Sequence, residues 1–531
     1  MTDPYRDSPQ EVPADVPRDP GIVGDVIAQF ADAKAFLREL VQNSIDAGTP
    51  SIQIELHHDA NAQQMHVTVR DRGEGMTREI VENQLLVLFR STKERDPTKI
   101  GKFGIGFVSV LAPNPDVVIV QTVRDKRRIA LHLYRDLTYE LFDAGPATQN
   151  GTSVELHIPL AVDEVDAFIR DSELALVRWC RHASVPIELS ARGSTRRIDR
   201  PLGIEDAVIA VQRTVDDGQL TAIVGIVVGK PYAGFFNHGL MLHETSSLFG
   251  KLAVKIQDAR LGHTISRDDV RRDDHYRRAV QLVEELAERE LPAAIASAMA
   301  IAVDDDLERY HALLDAVVYA GVELEREQWR FSVVEPFRGR MSIAANEIAA
   351  GLVWGSASST PLTKLVAAQG VPIVRTAHAT VGVALRQSLR VMVRDVAAEL
   401  TAITPVNESD GDVALLRLLD ELFDRVHRSP TAIVLAKLDG VFADRLAISG
   451  TSENAHVVNP EQAMRNPFAL LRRGVLALSV AHPHVRAARS GDPIVASSHL
   501  ARAVLLQHGL LDDDRSHAIV DYVLERVGVG R

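Results

Sequence analysis

One segment near the N-terminus constrains the fold more than any other. From Gly24 to Ala47, apolar residues recur at the three- and four-residue spacing of a helix, and Gly48 followed by Pro50 ends the pattern. The next two stretches, Ser51 to Leu56 and Met65 to Arg70, alternate in the manner of strands. A helix followed at once by an antiparallel hairpin predicts a mixed domain in which the helix covers one face of a sheet.

The remaining segments continue this mixture of helices and antiparallel strands. Strands are predicted at Val117 to Thr122, Arg128 to Tyr134 and Ser153 to Ile158, and a long helix at Asp274 to Met299. We therefore expect an α+β protein with four segments. They are a flexible tail (1–22), an α/β sandwich (23–160), an α/β middle domain (161–303) and a mixed, mainly helical C-terminal region (304–531) that begins at an acidic triplet.

The polar side of the first helix carries three candidate functional side chains. Glu39 and Asn43 are four residues apart and Asp46 follows three residues later, so all three lie on one stripe beside the apolar face. Taken alone, such a stripe is also typical of a solvated helix edge. Its meaning therefore depends on the motifs that follow it in the chain.

Three further elements follow the hairpin. They are two glycine-containing loops and, at Gly151 and Thr152, the start of a strand. DRGEGM (71–76) stands at a strand end, where a fixed carboxylate can accept a hydrogen bond from an exocyclic amine such as that of adenine. GKFGIGF (101–107) has closely spaced glycines that allow backbone N–H groups to converge on phosphate oxygens. It is not a Walker A loop, because no GKS or GKT ends it. Each motif by itself also fits an ordinary turn, hinge or strand entry.

Together and in this order, the four elements resemble the ATP-binding domain of the GHKL superfamily, which includes gyrase, the heat shock protein 90 chaperones, histidine kinases and MutL. The strings that carry the resemblance are FLRELVQNSIDAG (36–48), VRDRGEGM (69–76), IGKFGIGFVSV (100–110) and NGTSVELHI (150–158). The resemblance implies a GHKL (Bergerat) α/β sandwich over residues 23–160.

The resemblance also implies an ATPase site that uses ATP and Mg2+. Glu39 would be the general base that activates the attacking water, and Asn43 would hold Mg2+ through its amide oxygen. Asp71 would bind the adenine amine with support from Thr152. The other implied nucleotide-binding residues are Ala47, Gly75, Met76, Lys93, Lys102, Phe103, Gly104, Gly106 and Phe107. Residues 77–99 would form a lid that closes over the nucleotide.

Within the superfamily, the chain is most similar to the heat shock protein 90 chaperones. GKFGIGF is similar to the chaperone pattern, whereas MutL proteins usually have GFRGEAL at this place. The segment GHTISRDD (262–269) resembles the chaperone segment that brings an arginine to the ATP γ-phosphate, which implies that Arg267 is a catalytic arginine. The absence of a charged linker between the first two units fits HtpG-like members. The resemblance covers roughly the first 300 residues.

The composition limits the cellular compartments and the kinds of partner that we expect for this protein. With 72 acidic and 59 basic residues the formal charge is −13, which argues against nucleic acid as a partner. No stretch reaches the roughly 18 apolar residues of a membrane helix. A single cysteine, Cys180, and an acidic, Pro-rich N-terminal segment predict a cytoplasmic protein. His482 and His484 invite a metal-site interpretation, but the proline between them favours a turn.

We therefore expect an ATP-dependent chaperone of the heat shock protein 90 type, with protein clients, a homodimeric state and a role in the stress response. The alternative is a MutL- or MORC-like ATPase that acts on DNA or in genome defence. A nucleotide sensor that binds ATP without hydrolysing it is a third class.

Overall fold

The structure, a computed structural model, describes residues 34–86, 107–246, 248–264, 269–426, 429–469 and 474–528. The chain divides into two units, Met1–Glu288 and Arg289–Arg531. The helices are α1 (Ala35–Asp46), α2 (Arg78–Ile80), α3 (Val165–Cys180), α4 (Asp274–Glu285), α5 (Leu291–Asp305), α6 (Leu307–Ala320), α7 (Pro361–Ala367), α8 (Ala379–Val383), α9 (Val396–Glu399), α10 (Asp410–Val426), α11 (Pro460–Ala463), α12 (Pro483–Ser490), α13 (Pro493–Gln507) and α14 (Asp513–Val527).

The strands of the first unit are β1 (Ile52–Asp59), β2 (Gln64–Asp71), β3 (Val117–Arg124), β4 (Arg127–Tyr134), β5 (Tyr139–Pro146), β6 (Gly151–Pro159), β7 (Ile187–Ala191), β8 (Ser194–Arg197), β9 (Ala207–Val215), β10 (Leu220–Val227), β11 (Ala233–Asn237), β12 (Leu240–Thr245) and β13 (Ala253–Asp258). Those of the second are β14 (Arg330–Phe337), β15 (Arg340–Ala344), β16 (Leu352–Ser356), β17 (Ile373–Arg375), β18 (Met392–Asp395), β19 (Thr401–Pro405), β20 (Ala432–Gly440), β21 (Ala447–Gly450), β22 (His456–Val458) and β23 (Val475–Ser479).

An eight-stranded sheet with the order β5-β4-β3-β6-β2-β1-β7-β8 forms the first layer of the N-terminal unit. Neighbouring strands are antiparallel except β1 and β7, which run parallel and pair Ile52 with Ile187. The hairpin predicted after the first helix is confirmed as β1 and β2. Because β7 and β8 belong to the same sheet, the division placed at residue 160 from the sequence falls inside this layer.

Helix α1 covers one face of this sheet. It ends at Asp46, as its pattern predicts, and Gly48 follows in the left-handed region with φ +72. Burying a side chain of leucine or phenylalanine size stabilises a fold by about 1.5–3 kcal/mol. The apolar residues of α1 that join strand and α3 side chains in one core are Phe36, Leu37, Leu40 and Val41.

A five-stranded sheet with the order β12-β11-β13-β10-β9 follows in the same unit. Helix α4 packs on β10, and the Asp273 carboxylate caps its start by accepting from two backbone N–H groups. The helix predicted from 274 to 299 is present as α4 and α5, which are joined by a π-helical turn at Leu286–Glu290. Pro292 explains the interruption, because it lacks an N–H and its ring crowds the carbonyl four residues earlier.

The second unit contains two five-stranded sheets, with the orders β15-β14-β17-β16-β18 and β21-β23-β20-β19-β22. The acidic triplet expected to start this region joins two helices, since Asp304 and Asp305 end α5 and the Asp306 carboxylate caps α6. The α+β fold class is confirmed. Of the helices in the described ranges, none combines the length and the apolar character that crossing a membrane requires.

Candidate functional site

The carboxylate of Asp71 lies at the end of β2 and is held by three donors. Its Oδ1 accepts hydrogen bonds from the Gly73 N–H at 2.8 Å and the Thr152 N–H at 3.2 Å, and its Oδ2 accepts one from the Ser44 hydroxyl at 3.3 Å. Burial raises the pKa of Asp71, and the three hydrogen bonds oppose that rise. A carboxylate has about four lone-pair positions, so the donors in the described part of the chain leave one for the amine of a bound ligand.

The order of the strands in the eight-stranded sheet explains why Asp71 and Thr152 lie close together. Strand β6 lies beside β2 and pairs Ser153 with Arg70, so β6 begins where β2 ends. The predicted pair of Asp71 and Thr152 is therefore brought together. Ser44, which the sequence interpretation missed, reaches Asp71 from α1 and is 4 % exposed. A buried hydroxyl directly beside Asn43 on the helix was the available signal.

A threonine pair supports the loop that follows Asp71. The Thr152 and Thr122 hydroxyl oxygens lie 3.1 Å apart, and the Thr122 oxygen accepts the Met76 N–H at 2.8 Å. Thr122 is 1 % exposed and was also missed. Its signal was a polar residue at an inward position of β3, where the other inward residues are valines. This network fixes the backbone of Met76, one of the predicted pocket residues.

Two glycines allow the same loop to pack closely against its neighbours. Gly75 has φ +70, and a Cβ there would lie 2.0 Å from the Val123 carbonyl oxygen. A Cβ on Gly73 would lie 2.6 Å from the Ala47 carbonyl oxygen. That oxygen accepts the Glu74 N–H at 2.9 Å, so the predicted pocket residue Ala47 contacts the loop through its backbone.

Glu39 and Asn43 occupy successive turns of α1. Glu39 is 7 % exposed, whereas Asn43 and Asp46 are exposed. Partial burial raises the pKa of Asp46, the His238 imidazole lowers it, and the Glu39 carboxylate adds to the rise. An exposed carboxamide oxygen is a hard donor of the kind that Mg2+ prefers. The donor chemistry of α1 and β2 thus fits a Mg2+-nucleotide.

Several predicted site residues lie outside the residues that the structure describes. They are Lys93, Lys102, Phe103, Gly104, Gly106 and Arg267. Most of the predicted lid, residues 77–99, also lies outside the described residues, which run from 34 to 86 and then from 107. Phe107 is described, and it is 2 % exposed within the core of the eight-stranded layer. The roles given to all these residues stay predictions.

The residues on either side of 265–268 form a short antiparallel pair. Thr264 donates its N–H to the Asp269 carbonyl at 2.9 Å, and His263 and Val270 form a bridge. The Arg38 guanidinium of α1 donates to Nε2 of His263. Arg38 directly precedes Glu39 in the chain. His263, four residues before Arg267 in the chain, is therefore attached to α1, the helix that carries the predicted general base Glu39.

The sequence is similar to a known protein family and to several known proteins. Residues 32–143 match the family described as histidine kinase-, DNA gyrase B- and HSP90-like ATPase. The chain is 29 % identical over 209 residues to the chaperone protein HtpG of Shewanella frigidimarina, a match that covers 33 % of this chain and 31 % of that protein. It is 28 % identical over 206 residues to HtpG of Halorhodospira halophila, covering 32 % and 31 %.

A third relative, HtpG of Idiomarina loihiensis, is 25 % identical over 191 residues, covering 30 % of this chain and 29 % of that protein. Each match spans less than a third of the relative's own length. The resemblance to GHKL ATPases of the HtpG-like kind is confirmed for the N-terminal part of the chain.

Proposed function

We propose that this protein binds Mg2+-ATP at the Asp71 site, hydrolyses it, and uses the cycle to act on protein clients as a chaperone of the heat shock protein 90 type. The observation that carries the proposal is the Asp71 carboxylate, which is held by Ser44, Gly73 and Thr152 at the junction of α1, β2 and β6. This site falls largely within the segment that matches the ATPase family.

Nucleotide recognition rests on a fixed acceptor. The free lone pair of Asp71 accepts a hydrogen bond from the adenine amine, which guanine lacks at the equivalent position. Thr152 orients Asp71 through its N–H, and Gly75 and Met76 line the base pocket. Ala47, Phe107 and the phosphate-side residues Lys93, Lys102, Phe103, Gly104 and Gly106 complete the proposed contacts.

Hydrolysis is assigned to α1 and to the segment after His263. Asn43 would hold Mg2+, which supplies positive charge against the phosphate oxygens when it is bound. Glu39 takes the proton of the attacking water, and its burial keeps it in place for that task. Arg267 stabilises the charge that develops on the transferred phosphoryl group. The contact between Arg38 and His263, which lies four residues before Arg267 in the chain, supports the role proposed for Arg267.

The proposed partners are protein clients and a second copy of the chain. Helix α14 presents Val520, Leu524 and Val527 at 43 %, 40 % and 53 % exposure, at a spacing that puts them on one face. We assign this face to the homodimer contact. A cytoplasmic location and a role in the stress response belong to the same proposal.

The test is calorimetry of Mg2+-ATP on the full chain and on Asp71→Asn. Asparagine keeps the shape but removes the negative charge, so binding should become undetectable. Asp125→Asn, in an exposed turn of the same sheet, is the control and should bind like the unaltered chain. Undiminished binding by Asp71→Asn would contradict the site.

A second measurement addresses the partner. The rate of ATP hydrolysis is followed with an unfolded protein and, separately, with duplex DNA at moderate salt. The chaperone proposal expects the unfolded protein to change the rate. Stimulation by DNA alone would favour the MutL- or MORC-like alternative, and ATP binding without turnover would favour a nucleotide sensor.

A further inference from the structure

Two histidines and a glutamate lie together on the face of the eight-stranded sheet that is turned away from α1. His66 of β2 pairs directly with His157 of β6 in the antiparallel register, and Glu155 stands two residues before His157 on the same face. The alternation of each strand sets this face, because Met65, Val67 and Val69 of β2 and Val154, Leu156 and Ile158 of β6 point into the core.

The three side chains are already in contact. The His66 and His157 rings stack with centroids 4.0 Å apart. Glu155 Oε1 lies 2.7 Å from His157 Nε2 and 3.4 Å from His66 Nδ1. One ligand atom from each residue can be chosen so that all three lie within 4.8 Å of one another. Among the described residues, His66, Glu155 and His157 are the group of three or more His, Cys, Asp or Glu side chains whose ligand atoms lie this close together.

The side chains are also partly shielded from solvent. Their exposed fractions are 25 % for His66, 32 % for Glu155 and 20 % for His157. They stand on adjacent strands near the centre of the sheet, so the backbone fixes the spacing of all three Cα atoms. A site built on strands holds its ligands more firmly than a group of histidines on surface loops.

We propose that His66, Glu155 and His157 form a binding site for a divalent transition-metal ion, and that Zn2+ is the ion it fits best. Two imidazole nitrogens and one carboxylate oxygen are a ligand set that zinc accepts, and three protein ligands leave a fourth tetrahedral position for water. The site is separate from the proposed Mg2+ site on α1, which offers oxygen donors on the opposite side of the sheet.

A bound ion would join β2, which ends at Asp71, to β6, which begins at Gly151 beside Thr152. The strand pair that positions the adenine acceptor would therefore be cross-linked on its outer face. This link is independent of ATP hydrolysis, so the metal can be tested without measuring turnover.

The experiment is calorimetric titration of Zn2+ into the full chain after removal of metal by a chelator, with Co2+ absorption as a report of tetrahedral coordination. We expect one tight equivalent per chain. His66→Gln, Glu155→Gln and His157→Gln should each weaken binding at least about tenfold and reduce the Co2+ bands. His132→Gln, on the same sheet but on β4, is the matched control and should bind as the unaltered chain does.

Two results would overturn the proposal. One is unchanged Zn2+ affinity in all three ligand variants, which would make the group a hydrogen-bonded cluster only. The other is loss of binding in His484→Gln/His499→Gln, a histidine pair of the second unit whose Nδ1 and Nε2 atoms lie 2.8 Å apart. Circular dichroism of each variant establishes that it is folded, so a lost site cannot be mistaken for a lost fold.

Discussion

Lys255 donates a hydrogen bond from its ammonium group to Nε2 of His182 at 2.7 Å in the interior of the N-terminal unit. The two residues are 6 % and 7 % exposed. The Nδ1–H of His182 donates to the Arg200 carbonyl at 3.2 Å, and Lys255 also donates to the Gly203 carbonyl at 2.7 Å. The imidazole is therefore neutral, with its proton on Nδ1. Burial lowers the pKa of Lys255 to about 8 and that of His182 to about 4.

This pair predicts how stability changes with pH. The unfolded chain binds more protons than the native one wherever a native pKa is depressed, so the free energy of unfolding rises with pH there. For His182 the window runs from about 4 to 6.5, and for Lys255 from about 8 to 10.5. Lys255 should contribute a rise on the order of 3 kcal/mol across its window.

Denaturant unfolding of Lys255→Met at several pH values measures this contribution by difference. The alkaline rise should be smaller in the variant than in the unaltered chain. Cys180 titrates in both proteins, and burial raises its pKa to about 12, so its opposing effect cancels in the comparison. Lys437→Met, an exposed strand residue, is the control, and equal alkaline slopes in all three proteins would contradict the prediction.

Gly75→Ala should disrupt the nucleotide loop. The left-handed φ costs a non-glycine residue about 1–2 kcal/mol, and the added Cβ would meet the Val123 carbonyl. We expect a lower melting temperature and a loss of ATP affinity of more than tenfold. Gly145→Ala separates the two causes, because Gly145 also has positive φ but has no neighbour within 4 Å of its Cβ position. Its ATP affinity should not change.

Glu39→Gln should leave ATP affinity intact and lower kcat by about 10² to 10⁴, since glutamine cannot take a proton from water. Calorimetry gives the affinity and a phosphate-release assay gives kcat. Glu55→Gln, on the exposed face of β1, is the control. Equal turnover in Glu39→Gln and the unaltered chain would remove Glu39 from the role of base.

Arg267→Ala should lower kcat by about 10²-fold or more without changing ATP affinity. His263→Ala should lower kcat by a smaller factor, because His263 is proposed to act on the reaction indirectly, through its contact with Arg38. His275→Ala on α4 is the control. If His263→Ala changes KM rather than kcat, the positioning role is wrong.

Val520→Asp/Leu524→Asp should convert a dimer to a monomer, because burying a carboxylate in an apolar contact is unfavourable. Sedimentation equilibrium measures the mass. Met392→Asp is the control, since Met392 is 65 % exposed on β18 and stands on a different element. A dimer in both variants would place the contact elsewhere.

The sequence predicted the local elements of the first sheet well, because these depend on periodicity and on short spacing. It could not predict Ser44 or Thr122, whose roles depend on which strands lie side by side. Strand order also brings β7 into the first sheet, although Pro159 at the end of β6 and Ile187 at the start of β7 are separated by a whole helix. Pairing over such distances leaves no mark in the periodicity of either strand.

The parallel pairing of β1 with β7 decides where the N-terminal layer can be shortened. A fragment that stops at residue 160 would leave the eight-residue strand β1 as an unpaired edge, and exposed edge strands promote aggregation by pairing with other chains. A fragment that continues past Arg197 ends instead on β8, whose four residues are all exposed and include two arginines. That short, charged edge strand disfavours edge-to-edge association with another chain.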